Sequence, residues 1–210
     1  MQKTQATDLT LHYGGHELPD SLVRHLVREG QTHDVPPSLF ICQLYYESNW
    51  GSSNVAKQNN NWGGLTWTGN PVRPSGVIVS RGTPRPPNEG GYYMRFESVE
   101  DYLTDYVYLL TEQGLYNVAG HDTFYDSVKG LFIEGGAKAN YAATPWNVYV
   151  DTMVSIRNGI NANNDNVLDE IDGGIDVGPG PGPAPTRPRS DHYIRRHNTN
   201  MRRMGVRGRR

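Results

Sequence analysis

One carboxylate stands out for its setting. In "QLYYESNWGSSNVAKQNNNWGGLTW", residues 43–67, Glu47 is the single acidic group among aromatics, amides and small residues. A surface helix carries several charges and a core helix carries none, so a lone Glu where an apolar segment ends asks for a chemical reason. Proton donation is the chemistry that suits it. Cleavage of a glycosidic bond needs an acid that keeps its proton near neutral pH, and an apolar, aromatic setting raises a carboxyl pKa to that range. Tyr45, Tyr46 and Trp50 flank Glu47, and the loop beyond adds Trp62 and Trp67. Flat aromatic faces stack on sugar rings, while Asn59, Asn60 and Asn61 offer amides to hydroxyl and acetamido groups. The competing reading is a solvated helix-end Glu beside core aromatics, and the local residues leave both open.

The elements that must hold this group follow from periodicity. "DSLVRHLVREG", residues 20–30, reads as a short amphipathic helix with Leu22, Val23, Leu26 and Val27 on one face and Gly30 as its stop. Ser38 is the expected N-cap of the next helix, "SLFICQLYYES", which is apolar nearly all round and so belongs mid-core. Glu47 falls at its C-terminal end, where the helix dipole disfavours negative charge and favours the protonated acid. From Gly51 to Gly91 helical period disappears; "SGVIVSRG" and "EGGYYMRF", joined by "TPRPPN", read as two strands of a small β-lobe. Helical pattern returns at "SVEDYLTDYVYLLTEQG", with Ser98 and Asp101 at capping-box spacing, then at "DTFYDSVKGLFIEGG". A last helix, "TPWNVYVDTMVSIRNG", has Thr144 as its cap, Pro145 at its first position, and an end near Gly159. The expected fold class is α+β, a mainly helical domain with a β-hairpin lobe beside the site.

Composition bounds the rest. The chain has 210 residues, 36% hydrophobic and 20% charged, enough for one domain with a proper core. Its net charge of −2 hides an asymmetry, because nine arginines from Arg187 onward face only Asp191. Four segments are expected: an N-terminal arm over 1–19, the catalytic body over 20–160, an Asn/Asp- then Gly/Pro-rich linker over 161–186, and an Arg-rich tail over 187–210. Cys42 is the one cysteine and reads as a buried, inert thiol. The histidines show no metal-binding pair, so neither metal nor cofactor is expected. No apolar run approaches a membrane span, and the first residues lack the apolar core of a signal peptide.

"ESNWGSSNVAKQNNNWGGL" resembles the catalytic segment of the family 73 glycoside hydrolases, bacterial and phage N-acetylglucosaminidases with a lysozyme-like fold. Glu47, Ser48, Trp50 and Gly51 match the first half of that pattern; Asn59, Asn60, Trp62 and Gly63 match the second. "YYMRFESVEDYLTDYVYLL" and "ANYAATPWNVYVDTM" are similar to two later family segments, so the likeness runs in order over residues 20–160. The resemblance implies a peptidoglycan hydrolase with Glu47 as general acid and Tyr141 positioning the sugar or the attacking water. It places a second carboxylate in a Thr-x-Glu strand of the β-lobe, but that strand here reads "VIVSRG". Glu89 in "NEGGYY" is the nearest acidic candidate for base, with the substrate's acetamido group or a loop as substitutes. Trp50, Asn60, Trp62, Trp67 and Tyr92 are the expected substrate contacts. The setting expected is a phage endolysin or a virion-associated tail lysin, held in the virion or the host cytoplasm until it meets the wall. The basic tail is expected to be solvated, or to anchor a polyanion or a virion tail protein. A muramidase or lytic transglycosylase of the same fold, and a non-catalytic glycan-binding or structural virion module, are the rival functions.

Overall fold

A computed structural model describes residues 8–69, 73–174 and 177–178. The N-terminal hairpin, β1 (Leu11–Tyr13) with β2 (His16–Leu18), pairs antiparallel and buries Leu11 and Leu18 completely. Helix α1 (Asp20–His33) then packs beside α2 (Pro37–Ser48), whose residues from Pro37 through Tyr45 are all buried. That near-total burial is what the apolar sequence of α2 demands, and it puts this helix at the centre of the body. Helix α3 (Asn54–Asn59) follows, capped by the Ser53 side chain on the Ala56 N–H.

The β-lobe is an antiparallel pair, β3 (Val79–Pro84) with β4 (Tyr92–Phe96), in the register Val79 to Phe96 and Arg81 to Met94, with an irregularity between Arg81 and Pro84. The segment before it joins the other edge of β4 through a Thr66–Tyr93 bridge and the bonds Met94 N–H to Leu65 and Trp67 N–H to Tyr92. The lobe sits on α3 and on α4 (Val99–Thr111), whose Ser98 cap accepts the Asp101 N–H as expected. Helix α5 (Phe124–Lys129), α6 (Trp146–Asn163) and α7 (Val167–Ile171) complete the helical body.

Several local expectations are corrected. Helix α1 runs through Gly30 to His33; a Cβ at Gly30 would lie 2.6 Å from the Val35 carbonyl, so this glycine serves close packing rather than termination. Helix α6 likewise passes Gly159, where a Cβ would meet the Tyr13 ring at 2.7 Å. Pro145, not Thr144, is the N-cap of α6. Ser38 lies inside α2 with its hydroxyl on Asp172, and the cap position is Pro36. Packing also extends past both ends of 20–160. The hairpin at 11–18 belongs to the core, and α7 is tied in by Asp172, which accepts the Ser38 N–H at 3.0 Å and pairs with buried Arg157 at 2.8 Å. The Arg-rich tail lies outside the described residues.

Candidate active site

Glu47 is the penultimate residue of α2. After it the chain turns sharply: Asn49, Trp50 and Gly51 all have positive φ, so the helix ends abruptly. The side chain is partly exposed, yet its surroundings are poor in polar partners. Burial pushes its pKa up from 4.5 to about 7, opposed by a hydrogen bond from the Tyr141 hydroxyl, which donates to Oε1 at 3.4 Å. An accessible acid that keeps its proton to near neutrality is what proton donation requires.

The wall behind it is made of tyrosines. Tyr102, Tyr106 and Tyr141 are buried, and each hydroxyl has its pKa raised, first by burial and then by the Glu47 charge beside it for Tyr141, with the same charge acting on Tyr102 and Tyr106. Tyr102 stacks on Tyr106 with centroids 6.0 Å apart. One turn before Glu47 on α2, fully buried Gln43 donates to the Tyr149 hydroxyl at 3.0 Å and accepts from that of Tyr106. The Tyr149 ring lies 6.0 Å from Tyr141 and 5.5 Å from Tyr46. This Gln43-centred string was not singled out in the sequence, although an amide four residues before Glu47 on an otherwise apolar helix is a readable signal.

The sequence-derived candidates divide sharply. Glu47 and Tyr141 come together. Trp50 is only 5% exposed and its indole N–H donates back to the Ile41 carbonyl at 2.9 Å, so it packs the helix end and cannot stack on a sugar. Trp62 is 6% exposed, with its ring against Gly51, and is likewise a core residue. Asn60 spends its amide N–H groups on the Phe96 and Glu97 carbonyls at 3.1 and 3.0 Å. Its neighbours do the same work: Asn59 exchanges bonds with Thr83 on β3, and Asn61 bonds Leu65 and Met94. The amides expected to read sugar are therefore the clamp between the loop after Glu47 and the β-lobe. Trp67 stays partly exposed, and Tyr92 is 38% exposed next to it across their backbone bond. Glu89 sits in the β3–β4 turn, its carboxylate on the Arg85 guanidinium. That ion pair occupies the carboxylate that a base would need free.

A second buried acid lies nearby. Asp105 on α4 is fully buried, 3.0 Å from Arg73, and burial raises its pKa to about 6 against the pull of that guanidinium. Its charge also reaches Tyr102, after that of Glu47.

Two solved structures are similar to this chain. The catalytic domain of the autolysin Auto from Listeria monocytogenes is 19% identical, with 72% of this chain and 84% of that one covered and a TM-score of 0.47. A peptidoglycan hydrolase from Sphingomonas sp. A1 is 22% identical, with 79% and 94% covered and a TM-score of 0.42. Comparison with curated proteins gives no match. The Glucosaminidase family model, described as mannosyl-glycoprotein endo-beta-N-acetylglucosaminidase, matches residues 23–162. That span runs from α1 to the end of α6 and includes Glu47, Tyr141 and the whole β-lobe, so the chain belongs to the glucosaminidase family of glycoside hydrolases.

Proposed function

We propose that the protein is a peptidoglycan hydrolase that cuts a β-1,4 bond of the glycan strand on the N-acetylglucosamine side, with Glu47 as its general acid. The observation that carries this reading is the Glu47 carboxyl, with its pKa raised to about 7, still reachable from solvent, and contacted by Tyr141 at 3.4 Å. Glu47 gives its proton to the glycosidic oxygen as the bond to C1 breaks. Because β3 carries Arg81 and Glu89 is held by Arg85, the acetamido oxygen of the substrate is the group assigned to C1. It closes an oxazolinium ring there; water then opens the ring and returns a proton to the Glu47 carboxylate, so one carboxyl serves as acid and then as base. A pKa near 7 suits both roles. Tyr141 orients the carboxyl and the incoming water.

The setting we propose is a phage lysin, free or docked in a virion, on the strength of the Gly/Pro run and the nine arginines that follow it. Those arginines suit a polyanion or an acidic protein surface.

Purified wall digested with wild type and with Glu47→Gln tests the proposal. New reducing N-acetylglucosamine ends from wild type, absent with the variant, are expected, and a thiazoline mimic of the oxazolinium ring should inhibit. Anhydro-muramic ends would reassign the reaction to a lytic transglycosylase. Clearing that survives Glu47→Gln removes Glu47 from its role.

A further inference from the structure

The described residues carry their charge unevenly. Residues 73–97, the β-lobe, hold four arginines against two glutamates, whereas residues 98–174 hold twelve acidic groups against three basic ones. Residues 8–69 are also net acidic, with six acidic groups against three basic. A body of this sign repels an anionic polymer everywhere except at the lobe.

Of the lobe's four arginines two are exposed, Arg95 on one face of β4 and Arg81 on the other, and only Arg81 of these two lies over an aromatic ring. Arg73 is spent on Asp105 and Arg85 on Glu89. Arg81 is exposed, and its guanidinium lies over the Tyr92 ring, 4.7 Å from the centroid. No carboxylate pairs with it among the described residues. A guanidinium stacked on an aromatic face keeps its in-plane N–H donors free for a carboxylate, and the stacking fixes their direction in advance.

The register says which way the pair faces. Tyr92, Met94 and Phe96 alternate onto one face of β4, and Arg81 stands opposite Met94 on that same face. Phe96 and Met94 are buried there, the first against Tyr102 of α4 at 5.4 Å and the second in contact with Arg73. The Arg81–Tyr92 pair is therefore the outer continuation of the face that packs on α4, whereas the opposite face, at Gly82, lies against Asn59 of α3. Trp67, partly exposed and hydrogen-bonded through its backbone to Tyr92, extends the same strip with a second flat ring.

From this juxtaposition we infer that Arg81, braced on Tyr92, is a specificity-determining residue that binds a carboxylate carried by the glycan substrate. The inference rests on the glycan-hydrolase reading above and names what that site selects. Two parts of peptidoglycan supply such a carboxylate: the stem peptide, and the lactyl group of a muramic acid that has lost its peptide.

Three preparations separate them: intact peptidoglycan, amidase-stripped strands that retain lactyl carboxylates, and the stripped strands with those carboxylates converted to amides. Arg81→Gln is expected to raise KM by about five- to tenfold on carboxylate-bearing strands with kcat near wild type, and to leave the amidated strands unaffected. Arg81→Lys should recover part of the loss, and high salt should erase the difference. Loss on intact wall alone assigns the stem peptide; loss on stripped strands alone assigns the lactyl group, and loss on both assigns a site that takes either carboxylate. Equal loss on neutral and anionic strands, or none on any, overturns the inference. If wild type cuts no preparation, the hydrolase reading itself fails. Recognition is then read by co-sedimentation with intact wall, where equal binding by wild type and Arg81→Gln also overturns it.

Discussion

Replacing Glu47 by Gln should make the protein more stable at alkaline pH while removing its activity. The carboxyl pKa is raised from 4.5 to about 7 by burial, so the folded state disfavours the ionised form that the unfolded chain adopts freely. Below pH 4.5 both states hold the proton and Glu47 is no burden. As pH rises from there to about 7 the unfolded chain ionises first, the folded state loses relative stability, and above the folded pKa the penalty is complete. At roughly 1.4 kcal/mol per unit the gap corresponds to about 3 kcal/mol, reduced toward about 2 because the side chain is partly exposed. Gln keeps the shape and carries no charge, so the variant gains that amount at pH 8 and nothing at pH 4. For a body of this size the gain is about 4–10 °C in Tm. Thermal unfolding of wild type and Glu47→Gln at the two pH values measures it directly. A Tm difference of the same size at pH 4 and pH 8 refutes the idea that Glu47 is desolvated.

Other perturbations have equally defined outcomes. Tyr141→Phe removes the donor that favours the Glu47 carboxylate, so the alkaline limb of the pH–rate profile should move upward; a downward move contradicts the assigned geometry. Asn61→Ala deletes three buried hydrogen bonds to Leu65 and Met94, and should cost about 2–4 kcal/mol in urea unfolding. Asp172→Ala leaves the Arg157 guanidinium without its closest partner, and should cost about 3–5 kcal/mol even though α7 lies beyond the family match.

The helical framework was readable because its signals are local. The apolar run of α2, the Ser98 cap and the two strands of the lobe each follow from a few adjacent residues, and each forms as expected. The unusual setting of Glu47 was readable for a related reason: a single charge on an apolar helix is an anomaly visible in one dimension. What could not be read was where each polar group spends its hydrogen bonds. Asn59, Asn60 and Asn61 look like ligand-binding amides in a loop, but their partners are the Thr83 hydroxyl and N–H and backbone carbonyls of β4 and its flanks, more than twenty residues away in the main. Trp50 and Trp62 mislead in the same way, since an aromatic beside a site is indistinguishable in sequence from one packed under it. The glycines at 30 and 159 reverse the usual inference too, because a stop signal and a close-packing signal share one residue type. Glu89 is the nearest acid along the chain, but nothing local in the sequence says that Arg85 holds it.

The position of the Glu47 carboxyl, the proposed acid, is set by the helix that carries it more than by its own contacts. At one end of α2, Asp172 accepts both the N–H and the hydroxyl of Ser38, and Arg157 holds Asp172 in turn. At the other, the Trp50 indole bonds the Ile41 carbonyl and locks the turn that follows Glu47. Buried on nearly every face between these anchors, α2 has no freedom to slide. A shorter acid therefore cannot be carried forward to meet the leaving oxygen. Glu47→Asp keeps a proton donor but withdraws it by one methylene, over 1 Å, and misplacement on that scale costs on the order of 10²-fold in rate. The variant should fold as well as wild type and release reducing ends about a hundredfold more slowly. Near-normal turnover by Glu47→Asp would mean that the helix yields, and that the rigid placement argued for Glu47 is wrong.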